Sequence, residues 1–374
     1  MKASINRIAL LQSLITASTV IVKSNFNQLG EYVQLIFNGN ELTVVATDLA
    51  VTYVDKVSVI CNEPLSICVK ASSLKVWLEN RVQETIDIKP QGGQLVFRAK
   101  DAEIRLPTID GYEYPEHTPL PFDSTIASIN GNSLTSLINR TILVIDSKNT
   151  EHSPMFQSAL MSLADDGISI IATDGVVLAF NRIRGDILRS GEHTIPIKAL
   201  ETIRSLVKGN ELVTIKSKDL KIFFGIGTGY VYTTLAKPFD KGLIERIKDA
   251  LALDHKNKAL VNGIPVINAL AGYRGVLGDS NKAIFIEFDP ESNQIVISPE
   301  DTENGGGDES IPCDRMIGEK CRFKANYGCW QMCIRQINGL KVWIHFETEN
   351  KMIHLTGSDD NQKYVVAPMI IRQR

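Results

Sequence analysis

The stretch VATDLAVTYV at residues 45–54 returns as IATDGVVLAF at residues 171–180, 126 positions further along a chain of 374. Both run through an apolar residue, Ala, Thr and Asp into an alternating apolar segment. Alternation is a strand signal, and a Thr-Asp step between apolar residues suits a turn. The same phrase written twice, about a third of the chain apart, predicts a duplicated domain. Other features should then recur at the same period.

They do. NRIALLQSLITAS begins near residue 6, NGNSLTSLINRTI near 130 and NGIPVINALAGYR near 262. Each opens on Asn or Asn-Gly, which can cap a helix N-terminus, and continues with apolar residues at helical spacing. In the first of them, Ile8, Leu11 and Ile15 form one apolar face. A second series follows: KASSLKVWLENR near 70, PIKALETIRSLV near 196 and NYGCWQMCIRQI near 326. Leu200, Ile203 and Val207 make one stripe there, and Trp330, Ile334 and Ile337 another. The repeat ends also fall in phase, at IRLPTIDGYEYP (104–115), YTTLAKPFDKG (232–242) and YVVAPMIIRQR (364–374). Short alternating runs between them read as hairpins. The third copy is the loosest, with SPEDTENGGGDES where the others carry Thr-Asp. The chain therefore reads as α+β, in three tandem copies of a module with two helices on antiparallel sheet, over residues 1–121, 122–252 and 253–374.

Features shared by the copies are architectural. Asp48 and Asp174 recur together, which favours turn stabilisation over catalysis. No nucleophile elbow, P-loop, HExxH or CxxC is present, and the six histidines are scattered. GIGTGY (225–230) lies late in a strand run with no helix after it to hold a phosphate. Neither cofactor nor metal is expected. Cys61, Cys68, Cys313, Cys321, Cys329 and Cys333 match no common zinc spacing and read as free thiols in a reducing compartment. No apolar run is long enough to cross a membrane as a helix. Gln12, Ser13, Thr16 and Ser18 break up the N-terminal apolar stretch, which suits an amphipathic helix better than an export signal. A cytoplasmic location is expected.

The formal charge is −3, which argues mildly against DNA binding by bulk electrostatics. The charge is nonetheless uneven. The six expected helices and their flanks carry Arg7, Lys75, Arg81, Arg140, Lys198, Arg204, Lys208, Arg274 and Arg335 against Glu79 and Glu201. Either these are ordinary solvated faces, or the helices line one basic surface able to contact phosphates without reading sequence.

In this order and spacing, the three repeats, ATDG before an alternating strand, TIPIKALETIRSLV, YTTLAKPFDKGLIERI and the terminal YVVAPM resemble the bacterial β sliding clamp, the DNA polymerase III beta subunit, over the whole chain. The resemblance implies a non-catalytic processivity factor. It would form a head-to-tail homodimeric ring around duplex DNA, with helices facing the hole. Lys23, Lys75, Arg81, Arg140, Lys148, Lys198 and Arg204 are the candidates for DNA-facing charge. Ile104 and Leu106 on an edge strand would meet Val276 and Leu277 of a second copy, although all four also read as core positions.

The resemblance further implies an apolar pocket for short linear motifs of polymerase, clamp loader and repair proteins. It would comprise Phe156, Thr173, Gly175, Val176, Leu178, Gly242, Arg246, Ile247, Val365, Val366, Ala367, Pro368 and Met369. The sequence departs from the family pattern here. Val176, Val177 and Leu178 stand where His-Arg-Leu is common, Gly242 where Pro is usual and Ala367 where a bulkier residue is common. The chain also runs on through residues 370–374. A wider, more apolar pocket with altered motif preference is expected, and with it a partner set of its own or a clamp carried by a mobile element. The alternatives are a divergent non-replicative ring serving as a protein scaffold, and an enzyme on a triplicated domain, for which no convergent set of titratable groups is evident.

Overall fold

The computed structural model describes residues 1–21, 28–145, 154–277, 282–300, 305–337, 339–358 and 361–369. Its helices are α1 (Arg7–Val20), α2 (Ala71–Glu79), α3 (Gly131–Ile142), α4 (Ile197–Leu206), α5 (Lys241–Ala252), α6 (Gly263–Gly272), α7 (Arg274–Leu277) and α8 (Tyr327–Gln336). All six expected helices form. Asn starts four of them by satisfying otherwise unpaired amides of the first turn. Asn6 Oδ1 accepts from the Ala9 amide, Asn130 from Asn132, Asn262 from Ile264 and Asn326 from Gly328, at 2.9–3.0 Å.

The buried stripes of α4 and α8 are the expected ones: Leu200, Ile203 and Val207, and Trp330, Ile334 and Ile337. In α1 the inward face differs. Leu10, Ser13, Leu14, Ala17 and Val20 are buried, while Ile8 is 50% exposed. Two adjacent stripes of α1 are apolar at helical spacing, and packing turns Leu10, Leu14, Ala17 and Val20 inward.

Contacts divide the chain into two compact units. Unit 1 holds residues 1–135, 163–165 and 185–236; unit 2 holds 136–162, 166–184 and 237–374. The boundary falls inside α3. In unit 1 the first copy's strands close on themselves. From Ala3–Asn6 the sheet passes through Thr85–Gln91, Gln94–Ala99, Ala102–Asp110, Leu65–Lys70, Tyr32–Asn38, Glu41–Thr47 and Val51–Cys61, and Cys61 returns to pair with Ala3. The long strand Val51–Cys61 serves two neighbours. Its end pairs with Ala3–Ile5, and its start, Val51–Val54, pairs with Tyr230–Thr233 of the second copy.

Unit 2 repeats that junction. Val177–Asn181, the strand following the second Thr-Asp turn, pairs with Gln362–Val366, the last strand of the third copy. From there the sheet continues through Ile353–Thr356, Lys341–Phe346, Asn257–Asn262, Glu309–Ile317, Gln294–Pro299, Ala283–Asp289 and Cys321–Asn326.

Two half-strands lack the neighbour this pattern supplies elsewhere. In the strand Ala102–Asp110, Ala102–Pro107 pair with Gln94–Ala99 on one edge, whereas the other edge is paired only at Thr108–Asp110. Glu309–Pro312 pair with Gln294–Ile297, and the opposite side of that strand is taken only from Cys313 onward. Among the described residues both half-edges are open within their own units.

Candidate functional site

Each Thr-Asp step builds the same turn. Asp174 Oδ1 accepts from the amides of Val176 (2.8 Å) and Val177 (2.7 Å), and Thr173 Oγ1 accepts from Gly175. Asp48 Oδ1 likewise accepts from Ala50 and Val51, and Thr47 Oγ1 from Leu49. A short carboxylate bonding amides two and three residues ahead is a local device. Both aspartates thus hold turns, as their recurrence suggests. The third turn residue lies at positive φ in both copies, at 91° for Gly175 and 74° for Leu49.

Asp48 has a further partner, the Lys198 ammonium 2.5 Å away, and its own side chain is only 8% exposed. Replacing Asp48 with Ala removes both turn bonds and the ion pair and leaves two amides without their acceptor, so about 2–3 kcal/mol of destabilisation is expected. Lys198→Met removes only a half-exposed partner and should cost under about 1 kcal/mol. Melting curves of the two variants check the difference.

Around the second turn the surroundings open into a cavity of about 350 Å³ within unit 2. One wall is the turn and its strand, with Thr173, Gly175, Val176, Val177 and Leu178. The facing wall is α5, which presents Leu243, Arg246, Ile247 and Ala250. Phe156, Met352, Val365 and Ala367 complete it. Asp240 starts α5 by accepting from the Leu243 amide at 2.8 Å. Its apolar face then packs on Leu160, Ile171, Leu178 and Val365. A mostly apolar concavity of this size with one guanidinium fits a short peptide bearing apolar side chains.

Nine of the thirteen expected pocket residues line this cavity. Gly242, Val366, Pro368 and Met369 do not. Val366 alternates to the opposite sheet face from Val365 and is buried. Gly242 lies exposed in the first turn of α5. The Met369 amide bonds the Lys324 carbonyl. Conversely, Val177, Leu243, Ala250 and Met352 were not anticipated. Leu243, Ile247 and Ala250 recur at helical spacing after a capping Asp, so that wall was readable in principle.

At the first Thr-Asp turn a tyrosine packs against the strand that leads into it. Tyr114 Oη accepts from the Thr47 amide (3.1 Å) and donates to the Tyr32 carbonyl (3.0 Å). Its ring joins a buried cluster with Phe223, Tyr230 and Tyr232.

Beneath the groove, Leu178, Val365 and His354 are directly opposed on adjacent strands. His354 is buried and bonds the Ala250 carbonyl at 2.8 Å through Nε2. A carbonyl only accepts, so Nε2 carries the hydrogen. His255 meets this ring edge-on, 4.4 Å between centroids. Burial, then His255 and Lys363, push the His354 pKa down to about 3. The unfolded chain takes up this proton near pH 6.5, the folded one only near 3. The contribution to stability is therefore complete above about pH 6.5 and lost as pH falls from there towards 3, by a few kcal/mol. Urea midpoints from pH 7 to 4 should fall more steeply in the unaltered protein than in His354→Gln.

The candidate DNA-facing side chains differ in what they already touch. Lys198 pairs with Asp48, and Lys75 lies 3.9 Å from Glu79. Arg81 sits 5.4 Å over the Trp77 ring. Arg140 is half-buried, and its carbonyl accepts from Tyr364 Oη. Arg204 is exposed on α4, while Lys23 and Lys148 lie outside the described residues. Of the other counted bases, Arg7 bonds the Gln83 and Leu78 carbonyls, and Arg274 belongs to α7 rather than α6. The exposed positions of α1 (Ile8, Ala9, Gln12, Thr19) and α6 (Ile264, Asn268, Ala271, Gly272) are uncharged. Of the counted bases within α1, α2, α3, α4, α6 and α8, Lys198, Arg204 and Arg335 are exposed, each on the second helix of a copy. On the candidate interface, Ile104 and Val276 are half-buried, and Leu106 and Leu277 are buried.

Residues 1–119 match the family model for the N-terminal domain of the DNA polymerase III beta subunit. A protein of Caulobacter vibrioides named "Beta sliding clamp" is 24% identical over 381 aligned positions, covering 99% of this chain and 100% of that protein. The N-terminal third of the chain thus matches that domain family, and the whole length is similar to bacterial beta sliding clamps. The DNA polymerase sliding clamp of Bacillus subtilis superposes with a TM-score of 0.90 at 18% identity, covering 99% of each chain. The DNA polymerase III beta subunit of Pseudomonas aeruginosa superposes at 0.88 with 20% identity, over 99% of this chain and 100% of that one. The α+β clamp fold expected from the repeats is thus the fold observed. No described helix of the chain is long and apolar enough to cross a membrane.

Proposed function

We propose that this chain is a DNA sliding clamp acting by tethering rather than by chemistry. Two copies close head to tail around duplex DNA, each contributing three domains, 1–121, 122–252 and 253–374. The observation that carries this reading is the pair of open half-edges. At each internal junction, the strand after one copy's turn pairs with the last strand of the next copy. By the same rule, Glu309–Pro312 of the third domain pair with Ala102–Pro107 of the first domain in a second chain. Repeated about a two-fold axis, that heterologous contact closes a ring. Ile104 and Leu106 would meet Val276 and Leu277 across that contact.

Retention on DNA is then topological. The ring needs no tight grip, which agrees with a net charge of −3 and with sparse helical cations. Arg204, Lys198, Lys75, Arg81, Arg140, Lys23 and Lys148 supply non-specific phosphate contact. The groove against α5 takes short apolar motifs of a replicative polymerase, a clamp loader and repair proteins inside the cell. Val176, where the family commonly has His, makes its lip apolar and shifts motif preference.

The test is primer extension on circular single-stranded DNA with a cognate polymerase and loader. Much longer products with the chain present support the reading. Unchanged product length alongside groove binding would favour a protein scaffold instead.

A further inference from the structure

We propose that His354, assisted by Lys363, is a positioning residue that holds α5 as the groove wall and so sets the affinity of the groove for its peptide. This rests on the reading of the cavity as a peptide groove.

A helix end leaves its last carbonyls without intrahelical partners. At the end of α5 two of them are met from the sheet below. His354 Nε2 donates to the Ala250 carbonyl at 2.8 Å, and Lys363 Nζ to the Leu251 carbonyl at 2.9 Å. Ala250 is itself a groove residue. Lys363 and Val365 lie two apart on one strand and so share a face, the face on which Val365 floors the groove. His354 is directly opposite Val365 on the next strand. One row of the sheet therefore supplies both the floor of the groove and the anchor of its opposite wall.

The anchor is specific to the end of the helix. Towards its start α5 is fixed by the Asp240 cap, and through its middle by Ile247. At its end Ala250 and Leu251 pack on the same apolar cluster, and the two carbonyl bonds fix where the last turn sits on it. The His354 ring is held in turn by the edge of His255, whose side chain has no hydrogen-bond partner of its own among the described residues. Losing the donor strands a buried carbonyl and loosens the wall. A peptide must then re-order the wall when it binds.

The test uses the full chain and a fluorescent pentapeptide containing two Leu and one Phe, read by anisotropy, with hydrogen exchange of the α5 amides alongside. His354→Phe keeps a ring against His255 and removes the donor. It should weaken binding about five- to tenfold and speed exchange in α5, with exchange slowed again by saturating peptide. His354→Gln restores a donor and should bind within about twofold of the unaltered protein. Lys363→Met, which keeps the stem, should cost about threefold and serves if His354→Phe does not fold. Equal affinity for the unaltered protein and His354→Phe, or His354→Gln as weak as His354→Phe, would overturn the proposal. No binding of the peptide to the unaltered protein would instead overturn the groove reading on which it stands.

Discussion

Ile104→Asp is expected to convert a species of twice the chain mass of 41.4 kDa into one of 41.4 kDa at micromolar concentration. Ile104 is half-buried in the isolated chain, where it lies opposite Phe97 in a hairpin that the substitution leaves intact. A charge there costs the monomer little. In the closed ring the carboxylate would be desolvated among Leu106 and the partner's apolar residues without a counter-charge, which costs several kcal/mol. A ring of two chains would have two such contacts, and both would fail together. The dissociation constant should rise at least about a hundredfold. Sedimentation equilibrium reads the mass, and an unchanged melting curve of the monomer separates loss of assembly from loss of fold.

The second large effect is expected at the groove. Val176 is 49% exposed on the lip between the turn and its strand. Its amide is bonded by Asp174, so the backbone stays in place whatever the side chain. Val176→Asp should leave stability within about 0.5 kcal/mol. It would, however, place a carboxylate where an apolar peptide side chain must dehydrate. Peptide affinity should fall about ten- to thirtyfold, with the dimer mass unchanged. Gly175 offers a contrasting control. At φ 91° it holds a conformation that side chains resist, and an added Cβ would lie 3.6 Å from the Phe156 ring. Gly175→Val should therefore lose stability as well as affinity.

What could be read in the sequence was whatever acts over a few residues. Asn6, Asn130, Asn262 and Asn326 announce helix starts because the amides they cap are the next ones along the chain. Asp48 and Asp174 announce turns for the same reason. Val176, Leu178, Ile247 and Val365 could be placed at the groove through the resemblance, which depends on order and spacing. Contacts between distant segments were not legible. Lys198 reads as a free cation because Asp48 stands 150 positions before it. Ile8, Leu11 and Ile15 form as good a stripe as Leu10, Leu14 and Ala17, and only the packing of α1 chooses between them. His354 belongs to a short strand, with Met352 just before it, whose sequence says nothing of α5 above it. Tyr114 could not be placed beside the first turn, because its partners Thr47 and Tyr230 come from different copies of the module.

The open half-edges and the internal junctions converge on one claim, that two chains encircle DNA and hold it by topology. The direct measurement is retention after loading on a nicked plasmid, followed by linearisation with a restriction enzyme at high salt. A closed ring should stay on the circular DNA and run off the linear molecule. Equal retention on both, or salt-induced release from both, would contradict it.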